Sequence, residues 1–161
     1  MKHCVVEDSS FVISVIDTRD SNHSKAVAYL REMNVYKDKI KILIPSLVFY
    51  ETFFTLVKQG FPLKQVEEKL WNFLYIDNIV NVTTLETECF KYIKRLPDDP
   101  ALLQLKTADF IITSIGIEYD AQILTFDRRM HNRIYSIYSE IYDCNLLTEW
   151  QKFITNLKTK L

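Results

Sequence analysis

"LKTADFIITSIGIEYDAQILTFDRRM", residues 105 to 130, places two periodicities back to back. Leu105, Ala108, Asp109, Ile112, Ile115, Gly116 and Tyr119 fall on one side of a helix. The apolar run in "AQILTFD" that follows is too short for a helix and reads as a buried strand leading to Asp127. A helix feeding straight into a buried strand is half of a βαβ unit, and it points to an α/β fold. One residue breaks the pattern. Asp109 lies inside the apolar stripe, where an ionised carboxylate is costly unless something positive meets it.

The same alternation continues in both directions. "CVVED" reads as a buried strand ending at Asp8, followed by the helical "SSFVISVID", which Ser9 can cap. "HSKAVAYLREM" is a second helix with Ser21 or Asn22 as its cap. "KIKILIPS" is a strand over Ile40 to Ile44, stopped by Pro45. Ser46 can cap "LVFYETFFTLVKQG", which Gly60 ends. "PLKQVEEKLWNFL" is a further helix, "NIVNVT" a weaker strand, and "LETECFKYIKRL" a helix broken by "PDDP". Strands alternating with helices predict a single α/β domain, its central sheet mainly parallel and flanked by helices, over residues 1–148. Residues 149–161 form an amphipathic helical tail, with Phe153, Ile154, Leu157 and Leu161 on one side. That tail is expected to pack on the domain or on a second subunit.

Composition agrees with one folded domain: 161 residues, 48 % apolar and 25 % charged, with only 2 Gly and 4 Pro. The net charge of −1 gives no global signal for nucleic acid or membrane, so a local basic patch must supply any such affinity. Cys4, Cys89 and Cys144 are too scattered for a disulfide framework or a zinc site, as are His3, His23 and His131. No apolar run suits a signal peptide or a membrane span, and a cytoplasmic protein is expected.

Ligands of such sheets gather beyond the carboxyl ends of the strands. Asp8 and Asp127 each follow an apolar strand and should emerge there. Glu51 lies one turn into its helix, with Leu47, Val48, Phe54 and Thr55 as its neighbours, so it also interrupts an inward face. Taken singly, an acid after a strand is usually a helix cap or a solvated loop residue, and "DRRM" could begin a helix that Asp127 caps. Taken together, four converging carboxylates repel one another unless neutralised. No lysine or arginine stands out on the same faces, which points to a divalent cation. Hard Mg²⁺ or Mn²⁺ suits an all-oxygen site, whereas Zn²⁺ favours His or Cys.

These segments resemble a known family. "VVEDSSFVIS", "PSLVFYETF" and "LKTADFIITSIGIEYDAQILTFDRRM" are similar to the successive motifs of PIN domains, especially the VapC-type toxin ribonucleases. The resemblance runs from Val5 to Arg133. It implies a PIN-like nuclease domain and a metal-dependent endoribonuclease that hydrolyses RNA phosphodiester bonds. Asp8, Glu51 and Asp109 would be direct or water-mediated ligands of Mg²⁺ or Mn²⁺. Asp127 would bind a second, weaker ion or orient the attacking water. Ser10 and Thr125 would hold the carboxylates by hydrogen bonds. The resemblance further implies the toxin of a VapBC-type pair, with an antitoxin protein as partner and a homodimer as the assembly. One departure stands out. Where many members carry another acid or Asn after the Thr-x-Asp step, this chain has Arg128, Arg129, Met130 and His131, which weakens any second metal position.

Arg128, Arg129 and Arg133, with Lys106, stand beside the expected edge as phosphate contacts for RNA, against the bland reading of a solvated helix face. Tyr50, Tyr135 and Tyr138 are candidates for stacking on bases. Two other readings within the family are an RNA-processing nuclease without an antitoxin and a catalytically silent scaffold that binds RNA or protein. A phosphoryl-accepting receiver domain also carries acids at a strand end, which Glu7 and Asp8 imitate, but "LTFDRR" lacks its lysine.

Overall fold

The computed structural model describes residues 2–75, 80–83 and 104–161. Five strands form one sheet: β1 (His3–Glu7), β2 (Ile40–Pro45), β3 (Val80–Thr83), β4 (Gln122–Thr125) and β5 (Ile141–Asp143). Their order is β3-β2-β1-β4-β5, and every pair is parallel. Val5, Val6, Ile42, Ile44, Ile123 and Leu124 are shut away from solvent, which is why the strands read as unbroken apolar runs rather than alternating ones.

The helices are α1 (Ser9–Ile16), α2 (His23–Asn34), α3 (Ser46–Lys58), α4 (Leu63–Leu74), α5 (Thr107–Tyr119), α6 (Arg128–Ile134) and α7 (Leu147–Lys160). Right-handed crossovers require the steps β1 to β2 and β2 to β3 to carry α1–α4 on one face. The return to β4 reverses direction and sets α5, with its neighbour α6, on the other. The order also excludes a receiver domain. There the first strand sits between the second and third, whereas here β1 lies between β2 and β4.

The caps differ from the sequence expectation in detail. Asp8, not Ser9, is the N-cap of α1, because its carboxylate accepts the Phe11 amide at 2.9 Å. Ser46 lies within α3, and Pro45 precedes it without a side-chain cap. Gly60 does stop the chain after α3, at φ +88, a conformation that favours glycine. Strand β5 has no counterpart in the sequence reading, and the helix expected at 85–96 lies outside the described residues.

Gly116 explains how α5 approaches the sheet. A Cβ there would lie 2.7 Å from Ile123 Cδ1 and 3.1 Å from Tyr138 Cε1, so the missing side chain lets the helix lie against β4. At the far edge, α7 buries Trp150, Phe153, Ile154 and Leu157 beside β5. No helix among the described residues is long and apolar enough to cross a membrane.

Candidate active site

The strand order reverses at β1, whose neighbours β2 and β4 lead away in opposite directions. The crevice beyond the carboxyl ends of β1 and β4 is therefore the place this topology offers a ligand. A cavity of about 400 Å³ opens there. Asp8, Glu51, Asp109 and Asp127 all line it, together with Ser10, Lys106, Met130 and Arg133. Residues separated by more than a hundred positions meet because β1 and β4 are adjacent and α3 and α5 begin at the same edge.

Asp8 is the most firmly held of the four. Ser10 Oγ lies 2.8 and 3.0 Å from its two oxygens, Thr125 Oγ1 donates at 2.8 Å, and the Phe11 amide adds a third donor. The Ser10 hydroxyl in turn accepts the Phe126 and Asp127 amides, at 2.8 and 3.1 Å. Thr125 Oγ1 accepts the Asp127 amide as well. A small polar web thus ties the end of β1 to the turn after β4. Burial raises the Asp8 carboxyl to about 6, against these hydrogen bonds, which favour the charged form, and with a smaller push from Asp127.

Asp127 is exposed and caps α6, its Oδ1 accepting the Arg129 and Met130 amides at 2.7 and 3.1 Å. The cap and the cavity position are compatible, since Oδ2 takes no part in the cap. Its turn is braced from behind, where Asn145 Nδ2 donates to the Phe126 carbonyl and to Asp143, each at 2.8 Å. Glu51 is half-buried on α3.

Asp109 has a partner that the sequence reading did not find. Arg133, in the last turn of α6, reaches across to it, with Nε at 2.9 Å and Nη2 at 2.5 Å from the same oxygen, Oδ2. The acid in the apolar stripe is met by a guanidinium, and the inference that no basic side chain faces these carboxylates is corrected. Helical spacing within one segment gives no sign of it, because the partner lies on a different helix. Arg128 and Arg129 are exposed on the first turn of α6, and Lys106 stands at the mouth of the cavity just before α5. Tyr50 and Tyr135 are exposed. Tyr138 is not, and its hydroxyl donates to the Ala121 and Gly116 carbonyls at 2.7 and 3.1 Å, which ties it to the fold.

The donor set is all oxygen and strongly anionic, which suits a hard divalent ion. Among the described residues no three of His, Cys, Asp and Glu are gathered closely enough to enclose an ion alone. That is the usual situation for Mg²⁺, which keeps several waters and binds through one or two carboxylates plus substrate phosphate. Beside the cavity, Glu7 is fully buried, and neither carboxylate oxygen has a hydrogen-bond partner. Burial, with the Asp8 charge next to it, raises Glu7 to about 8.

A parallel α/β domain with an acidic crevice at its switch point is the class this geometry defines. The chain belongs to the PIN domain family, whose sequence model matches residues 5–135. A search of curated proteins gives no significant match. Among solved structures, a chain of VapBC2 from Rickettsia felis, crystallised bound to a DNA fragment from their promoter, is similar with a TM-score of 0.60. The identity is 16 %, over 86 % of this chain and 95 % of that one. Mycobacterium tuberculosis VapC20, a sarcin-ricin loop cleaving toxin, aligns with a TM-score of 0.48 at 12 % identity, over 76 % and 87 % of the two chains.

Proposed function

We propose that this chain is a metal-dependent endoribonuclease, the toxin of a VapBC-type toxin–antitoxin pair, with residues 1–148 as its nuclease domain. The observation that carries the reading is the meeting of Asp8, Glu51, Asp109 and Asp127 in one crevice at the switch point. Family membership and the likeness in fold to VapBC2 support it.

These four carboxylates would hold Mg²⁺ or Mn²⁺, directly or through water. When bound, such an ion supplies Lewis-acid polarisation of a phosphate oxygen and a more acidic water as nucleophile. The chain's own groups do the rest. Ser10 and Thr125 fix the Asp8 carboxylate so that its oxygens need no reorganisation during the reaction. Asp127 keeps Oδ2 outside its cap, where it can orient a water. Lys106, Arg128 and Arg129 carry the positive charge along which an RNA backbone would run. An antitoxin that buries the crevice and a second copy of the chain are the expected protein partners.

The silent-scaffold reading draws on one observation, the Arg133–Asp109 pair, which leaves one carboxylate already neutralised. The two readings part on cleavage. Total cellular RNA incubated with the protein and Mn²⁺ should be cut, and chelation or Asp8→Asn should stop it while the thermal melt stays cooperative. Cleavage by Asp8→Asn at the wild-type rate removes Asp8 from the ligand set. No Mn²⁺-dependent cleavage by the wild type favours the scaffold.

A further inference from the structure

Arg133 is unlike the other basic residues near the crevice. Lys106, Arg128 and Arg129 are exposed, whereas Arg133 is partly buried, with 34 % of its side chain accessible. Lys106 and Arg133 both line the cavity, and of the two it is Arg133 that is paired with one of its acids. Both its Nε and Nη2 bonds fall on Asp109 Oδ2, and among the described residues Oδ1 of Asp109 and Nη1 of Arg133 have no hydrogen-bond partner. The guanidinium is therefore anchored at one end and still has donors to offer at the other. Guanidinium is permanently charged, planar and suited to phosphate oxygens.

The charge balance of the crevice follows. Four carboxylates line it, set against Arg133, which pairs with Asp109, and Lys106 at the mouth, so two negative charges remain. One divalent ion then suffices to balance what is left, and a second would have to approach Arg133 against like-charge repulsion. We propose that Arg133 is the built-in second cation of this site. It limits the crevice to a single divalent ion and presents its free donors to a substrate phosphate oxygen, where charge develops as the phosphodiester bond breaks. This inference rests on the nuclease reading for its substrate, but its charge arithmetic is tested without cleavage.

The experiment is a calorimetric titration of Mn²⁺ into the full chain, with Arg133→Gln and Arg133→Lys as variants and single-turnover RNA cleavage as a second readout. The wild type should bind one Mn²⁺ per chain, and Arg133→Lys should do the same. Arg133→Gln should gain a second site, or at least a tenfold tighter first one, and yet cleave RNA at least tenfold more slowly. A wild type that binds two ions, or an Arg133→Gln variant with unchanged stoichiometry and affinity, overturns the proposal. Faster cleavage by Arg133→Gln overturns it too, since the arginine would then be an obstruction. Failure of the nuclease reading looks different: no Mn²⁺-dependent cleavage by the wild type, with ion binding that Asp8→Asn leaves untouched.

Discussion

Trp150 lies flat on Tyr29, the ring centroids 3.6 Å apart and the planes 9° from parallel, and its indole N–H donates to Glu32 at 2.9 Å. The stack continues inward. Tyr29 is parallel to Phe126 at 6.3 Å, and Phe126 to Phe11 at 5.5 Å. Phe126 is the residue between Thr125, a donor to Asp8, and Asp127, which lines the crevice, so the column links α7 to the turn behind the site. Trp150→Ala should cost about 3–5 kcal/mol in urea unfolding, the usual range for deleting a buried indole. It should also lower RNA cleavage at temperatures where the variant is still folded. Full activity in a folded variant would show that the turn keeps its shape without α7.

How much of the structure is legible in the chain depends on the range of the interaction. The strands β1, β2 and β4 declare themselves because both faces are buried, and an uninterrupted apolar run is a local signal. Asp109 and Glu51 are legible as anomalies for the same reason, since each breaks an apolar face that helical spacing defines. Strand β5 is not legible. Its three residues, Ile141–Asp143, are too short for any periodicity, and pairing with β4 alone makes them a strand. Arg133 is hidden by geometry rather than by length. It lies on the next helix, 24 residues from Asp109, and only the packing of α6 on α5 brings them together. Glu7, beside Asp8, reads as one of two acids at a strand end, and its complete burial follows from the sheet around it.

Glu7 gives the protein a stability that depends on pH in an unusual direction. Its folded carboxyl titrates at about 8, against 4.5 for an ordinary glutamate in water. Between those values the native state holds a proton that the unfolded chain has released, so stability falls as pH rises. The benefit of the neutral form is complete below pH 4.5 and lost as pH passes 8. Glu7→Gln removes the charge without changing the shape. It should flatten this slope and stabilise the protein above pH 8 by a few kcal/mol, on the order of 3–5 from the size of the shift. Urea unfolding at several pH values measures both, and parallel curves for the two proteins would mean that Glu7 is ionised in the folded state.

Thr125→Val keeps the shape of the side chain and deletes one of the donors to Asp8. That hydrogen bond favours the ionised form, so its loss should push the Asp8 carboxyl further above its value of about 6. The acid limb of the cleavage profile should move to higher pH. Stability should fall by roughly 1–3 kcal/mol, more above pH 6 than below it, because the bond is strongest to the charged carboxylate. An acid limb that stays in place would separate Asp8 from the rate-controlling ionisation.

Arg128 and Arg129 test the RNA path. Their side chains are exposed on the first turn of α6, and only the backbone amide of Arg129 takes part in the Asp127 cap. Replacing both with Gln should therefore leave the cap, the melt and Mn²⁺ binding as they are. If each arginine neutralises one phosphate, the logarithm of RNA affinity against the logarithm of salt concentration should lose about 1.4 in slope, the value expected for two contacts on a single strand. Affinity should drop most at low salt and converge with the wild type as salt rises, since counterion release is the only contribution removed. Asp8→Asn protein, expected to bind without cutting, is the background in which to measure it. A weaker complex with an unchanged slope would mean that the arginines act on the fold of α6 rather than on phosphate. An unchanged complex would place the RNA on another face, leaving Lys106 as the contact to remove next.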